Sequence, residues 1–252
     1  MTILGQPEKY SEILSRVFWG HFVFALLCMA GLAQASPWVT SFVDKWQHEV
    51  SLGAVDGLKA GGVVAPLLIA LVGRIIQLHD RISDIVRLRE HFDVEVILRP
   101  LISGVGLQPD EAGVACVRAN RDSIMVKTFY RYASFENPVI DSQLVRSAAD
   151  RWGWFWTFLE PIPTVLLTSA VLLWLGSALW TWFVGLAVLL MLVCTALWRP
   201  LKRGAADEVE AILDDHDRRL AIAEVLVQVC SVLATTTTSQ ASRTDERANK
   251  SS

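Results

Sequence analysis

Between Arg151 and Arg199 the only formal charge is Glu160. Apolar runs of this kind predict two membrane-crossing helices, 152–174 and 179–198, each close to the roughly 20 residues that cover a hydrocarbon core of ~30 Å. Gly176-Ser177-Ala178 predicts the turn between them. A third apolar run covers 17–35. A fourth, 60–73, is charge-free but rises only about 21 Å as a helix. The second crossing therefore borrows residues from its N-terminal side, with Asp56 and Lys59 near the interface and Lys59 reaching out of it. Pro66 predicts a kink there, which neighbouring helices can accommodate.

The polar stretches carry a different rhythm. After Arg74, the positions Ile75, Leu78, Ile82, Ile85, Arg89, Phe92 and Val96 alternate three- and four-residue steps, the seam of a packed helix with Arg89 as its one polar member. After Arg203, Val209, Leu213, His216, Leu220, Ala223, Val227, Cys230 and Ala234 repeat the design, with His216 in the polar position. Both seams predict helical extensions that pack as a coiled-coil-like stalk. Pro100 is expected to end the first; Pro109-Asp110-Glu111 opens another helix reaching about residue 132. Asn137-Pro138 is expected to start the helix that feeds the third crossing.

The fold class predicted is an all-α polytopic membrane protein with four transmembrane helices and helical cytoplasmic extensions after helices 2 and 4. Its parts are an N-terminal segment 1–16, helices 1 and 2 within 17–76 around a short loop 36–51, a helical region 77–151, a hairpin 152–198, an amphipathic helix 199–234 and a disordered tail 235–252. Composition agrees with a membrane solvent: 52% of residues are hydrophobic and 19% charged, with mean hydropathy +0.38. The net charge of -3 says little by itself, but position does. Arg74, Arg151, Arg199, Lys202 and Arg203 flank the apolar runs, which predicts a bacterial inner-membrane protein with both termini and the central region cytoplasmic and loop 36–51 periplasmic. Ala33-Gln34-Ala35 resembles a signal-peptidase site, yet the long leading segment carries Glu8 and Glu12, unlike a signal n-region, and 17–35 reads as a retained helix.

Candidate chemistry is sparse. Glu160, followed by Pro161 and Pro163, is the one acid within an apolar run; it must face helices, a partner or water, and is the intramembrane polar candidate. Gly53, Gly57, Gly61 and Ala65 recur at four-residue steps and predict a smooth packing face. Arg89 and His216 are candidates for a polar layer in the cytoplasmic seams. Asp214-Asp215-His216-Asp217 points its side chains about 100° apart in a helix, poorly suited to a metal. Arg118, Arg121, Lys127 and Arg131 interleave with Phe129, Tyr130 and Tyr132; anionic lipid, a partner protein or simply a solvated face over a small core explains them more economically than nucleic acid. Cys28, Cys116, Cys194 and Cys230 show no paired spacing, so neither a disulfide framework nor a zinc site is expected.

No catalytic residue, cofactor or metal is expected. The function expected is that of a non-enzymatic subunit or adaptor of a membrane assembly of the secretion, conjugation, envelope-stress or defence type, in contact with lipid and with further copies or other membrane proteins. The alternative is a homo-oligomeric channel or membrane-permeabilising effector gated by its cytoplasmic helices.

Overall fold

The computed structural model describes residues 9–45, 49–50 and 58–231. They form helices α1 (Tyr10–Ala35), α2 (Pro37–Lys45), α3 (Ala60–Ile75), α4 (Leu78–Ile85), α5 (Leu88–His91), a π-helical segment (Phe92–Leu98), α6 (Arg99–Gly104), α7 (Glu111–Ala119), α8 (Arg121–Lys127), α9 (Phe129–Tyr132), α10 (Ser142–Leu159), α11 (Ile162–Trp174), α12 (Trp180–Leu213) and α13 (His216–Val229). The described strands are two residues each, β1 (Glu49–Val50) and β2 (Leu58–Lys59), paired antiparallel with Glu49 opposite Lys59. Two compact units result: residues 1–82 with 150–200, and 83–149 with 201–252.

Among the described residues three helical stretches are long and apolar enough to cross a membrane: Tyr10–Ala35, Ser142–Trp174 and Trp180–Leu213. In the first unit α1 packs on α3 and α11. Arg16 Nη1 donates to Asp150 Oδ1 at 2.5 Å and stacks its guanidinium over Trp154, tying α1 to α10. The α11–α12 turn closes as a Schellman motif: Gly176, at φ 70°, donates to Leu173 O and Ser177 donates to Leu172 O. Ser169 Oγ then donates to Trp180 O across the hairpin.

Several boundaries differ from the sequence reading, each for a local reason. Helix α1 takes in residues 10–16. Within the expected loop 36–51, Pro37 opens α2 at a position where its missing N–H costs nothing. Of the smooth stripe, Gly53 and Gly57 lie outside the described residues, Gly61 is in the first turn of α3, and Ala65 is half-buried.

The extension after Arg74 is not one rod. Gln77 and Arg87 both adopt φ 50°, a left-handed backbone that ends a helix, and α3 meets α4 at a bend of 60°. Ile75 and Ile85, both seam positions, are 71% and 81% exposed as a result. Pro100 falls in the first turn of α6 instead of ending a helix. The expected helix 109–132 is three short ones, α7 to α9, capped at its start as expected: Asp110 Oδ1 accepts from Gly113 N at 2.8 Å. Helix α10 begins at Ser142 and not at Asn137-Pro138, because Asp141 Oδ1 accepts from Gln143 N. The tail seam also breaks: α12 runs on to Leu213, and Asp215 restarts the chain by accepting from Arg218 N at 3.0 Å.

In the second unit Phe92, Leu98, Leu101, Ile102, Ile124, Met125, Ile212, Ile222 and Leu226 make the core. Helix α13 packs on α8 and α6, and Gly104 admits Leu213 where a Cβ would overlap it. Against the expectation of unpaired cysteines, Cys116 and Cys230 are disulfide-bonded across a separation of 114 residues; Cys28 and Cys194 are free and buried.

Candidate functional site

The first unit encloses a line of polar side chains built on four helices. Helix α10 ends at Leu159 and α11 starts at Ile162, so Glu160 sits at the break that Pro161 and Pro163 impose. Its carboxyl points inward, and the residue is 3% exposed. An unanswered carboxylate there would cost several kcal/mol. The answer comes from α1: His21, 1% exposed, places Nδ1 3.1 Å from Glu160 Oε1. The other ring nitrogen, Nε2, lies 3.1 Å from Thr164 Oγ1, one turn along α11.

On the opposite side of the carboxyl, His79 Nδ1 lies 4.0 Å from Glu160 Oε2, and His79 Nε2 lies 3.6 Å from Asp80 Oδ2. Exposure rises along the line, from 1% for the His21 side chain to 22% for His79 and 43% for Asp80. Trp156 packs edge-on against the His79 ring, with centroids 5.9 Å apart. Gly73 makes the approach of α3 possible, since a Cβ there would stand 3.0 Å from His21 Cε1 and 3.4 Å from Glu160 Oε1. Chemically the arrangement offers proton-binding groups: a carboxylate, two imidazoles and a threonine hydroxyl that both donates and accepts.

Of the residues singled out from sequence, Glu160 is thus at the centre of a built site. Its histidine partners were not legible, because His21 is 139 residues away and interrupts an otherwise apolar helix with no periodic signal. The one available hint was that a histidine within an apolar run needs a partner, and Glu160 is the only acid in another such run.

Arg89 and His216 both belong to the second unit and are exposed. Arg89 Nε faces Asp93 Oδ2 at 3.9 Å on its own stretch of chain, while His216 is the first residue of α13. Asp93 is buried, and burial pushes its carboxyl up to about 6 in spite of Arg89 and Arg121. At the α13 start the backbone N–H of Arg218 holds the Asp215 carboxyl below the usual carboxylate range. Two cations of the arginine-aromatic stretch are answered internally: Arg118 meets Glu90 at 3.5 Å and Glu95 at 4.0 Å, and Arg121 meets Asp93 at 3.6 Å and Asp122 at 2.7 Å. Among the described residues no group of three or more His, Cys, Asp or Glu is placed to hold a metal ion.

The sequence model of the YmfE protein family matches residues 9–224, and the chain belongs to that family. Neither a curated protein nor a solved structure matches it. The matched range contains His21, His79, Glu160 and Thr164 and ends before Cys230.

Proposed function

We propose that this YmfE family member is a non-enzymatic integral membrane subunit or adaptor that works in a multiprotein assembly of the bacterial inner membrane. Four crossings are formed by α1, α3 up to its bend into α4, α10–α11 and α12. The observation that carries the assembly role is that Ile85 and Leu220, one from each periodic apolar row, are 81% and 58% exposed in the second unit. Large aliphatic side chains bared at the positions of a helix-packing rhythm favour another chain as their cover. Within the candidate spans, the bare Val188, Leu189, Met191 and Leu192 of α12 suit lipid.

Orientation rests on Arg74, Arg151, Arg199, Lys202 and Arg203, whose positions at the ends of the apolar runs favour a cytoplasmic second unit. The Cys116–Cys230 disulfide argues the other way, since such bonds are rare in the cytosol. Charge at span ends acts during insertion itself, and on that ground the basic residues favour the cytoplasmic side.

Extraction of tagged protein from native membranes in mild detergent, followed by native sizing and mass spectrometry, tests the reading. A defined oligomer or a stoichiometric membrane partner, weakened at least tenfold by Ile85→Glu or Leu220→Glu, is expected. A monodisperse monomer that crosslinks to nothing rules it out.

The second reading, a homo-oligomeric channel, is favoured by a buried carboxyl at the break between α10 and α11. It requires ion flux in proteoliposomes that disappears in Glu160→Gln.

A further inference from the structure

We propose that His21 and Glu160 form a proton-binding site inside the membrane-embedded helices, charged from the Asp80 side through His79. The inference rests on the membrane-spanning reading of α1 and α10–α11 and deepens it by naming the ligand, a single proton.

Three features of the geometry carry it. The His21–Glu160 pair is nearly inaccessible, so a net charge on it is held in a poorly solvated place. With neither group protonated beyond a neutral imidazole the pair carries one negative charge; with one more proton it carries none. Uptake of one proton therefore changes the buried charge by a full unit, which is the property of a binding site and not of a structural hydrogen bond.

Second, the partners tolerate both states. With the added proton on Glu160 Oε2 the imidazole stays neutral, so Nδ1–H still donates to Oε1 and Nε2 still accepts from the Thr164 hydroxyl. Each ring nitrogen of His21 keeps its partner through the change. A structural pair needs only one of these states satisfied.

Third, there is a graded way in. A proton entering from water at the part-exposed Asp80 adds to His79 Nε2, and the proton on His79 Nδ1 leaves for Glu160 Oε2, returning the ring to neutrality. The O–H bond that carries the proton in, on hydronium or the Asp80 carboxyl, breaks as the His79 Nε2–H bond forms, and the His79 Nδ1–H bond breaks as the Glu160 O–H bond forms, with no other reactant. The 4.0 Å step to Glu160 and the 3.6 Å step from Asp80 both exceed hydrogen-bond length, so transfer along the line requires the His79 ring to move.

Two other charged groups on the packed helices are engaged elsewhere. Arg74 on α3 lies over the Phe18 ring at 5.8 Å, and Arg16 on α1 pairs with Asp150. Gly73 turns no side chain toward the pair.

The test uses the full chain in lipid vesicles, with infrared difference spectra recorded as pH is stepped. The expected result is a carboxylic-acid carbonyl band that titrates, is missing in Glu160→Gln, and has its midpoint moved by at least one pH unit, tenfold in proton affinity, in His21→Asn. After a pH jump, His79→Phe should slow the appearance of the band at least tenfold without moving its midpoint. Thr164→Val should shift the midpoint while Thr164→Ser leaves it, a comparison between two variants of nearly the same shape. A titrating band unchanged in Glu160→Gln, no titrating band in the wild type, equal behaviour of the two Thr164 variants, or stoichiometric zinc binding lost in Glu160→Gln would overturn the proposal. Alkaline carbonate washing is run alongside: release of the chain from the vesicles removes the membrane reading, whereas retention with a negative titration removes only the proton site.

Discussion

Asp93 Oδ2 lies 3.6 Å from Arg121 Nε, and yet its carboxyl is pushed up to about 6. Burial outweighs attraction here: the Asp93 side chain is 7% exposed, the Arg89 side chain is 51% exposed and screened by water, and Asp122 adds repulsion. The folded-state value lies above the ordinary 3.8, so the folded chain binds the extra proton between about pH 4 and 6. Stability contributed by this group is complete below that window and is lost as pH rises through it. About two units correspond to about 3 kcal/mol. Melting temperature of the second unit should therefore fall from pH 4 to 6 and level off above; Asp93→Asn should flatten that slope. Equal slopes in both proteins would contradict the assignment.

The Cys116–Cys230 bond closes a loop with a sequence separation of 114. In the chain-entropy view a loop of that order contributes about 4–5 kcal/mol by restricting the unfolded chain. Denatured but unreduced protein should accept alkylation at Cys28 and Cys194 alone, and at all four cysteines after reduction, with a lower melting temperature for Cys116→Ser. Four reactive thiols in freshly denatured protein would remove the bond and strengthen the cytoplasmic placement of this unit.

Gly20 faces the Thr157 methyl so closely that a Cβ would lie 2.5 Å from it. Thr157 cannot swing away freely, because its hydroxyl donates to Gly153 O at 2.7 Å within a buried contact. Gly20→Ala should destabilise the chain by about 1–3 kcal/mol through overpacking. Combining it with Thr157→Ser, which deletes the methyl and keeps the hydroxyl, should restore most of the loss in thermal unfolding; no restoration would mean that α1 and α10 do not approach as described.

Arg16 and Asp150 are 8% and 25% exposed in their side chains, and Arg16 also covers Trp154 at 4.7 Å. Removing the guanidinium leaves a part-buried carboxylate without this partner. Arg16→Ala should cost about 2–4 kcal/mol, and Asp150→Asn in the Arg16→Ala background should recover part of it. A double-mutant cycle in detergent gives the coupling, and additive effects would dispose of the pair.

Much of the helical plan was readable from patterning, because an apolar run longer than about 17 residues has few ways to satisfy its backbone other than a helix. Glu160 stood out for the same reason: a charge is conspicuous where the surroundings are apolar. Seam periodicity was less reliable. The rows through Ile85 and Leu220 are spaced as for straight rods, but Gln77, Arg87 and Asp215 end or restart helices by backbone conformation and capping, which spacing does not encode. The cysteine pairing was illegible since Cys116 and Cys230 have no local relationship until α13 returns along the short helices.

What the chain's own order determined is which stretches are apolar and where one acid interrupts them, since the transfer free energy of a stretch is set by its own residues. Which groups meet that acid was decided only by packing. His21 reaches Glu160 because Gly73 lets α3 lie close and the proline break turns the carboxyl inward, and a contact between residues 139 apart depends on where whole helices come to rest.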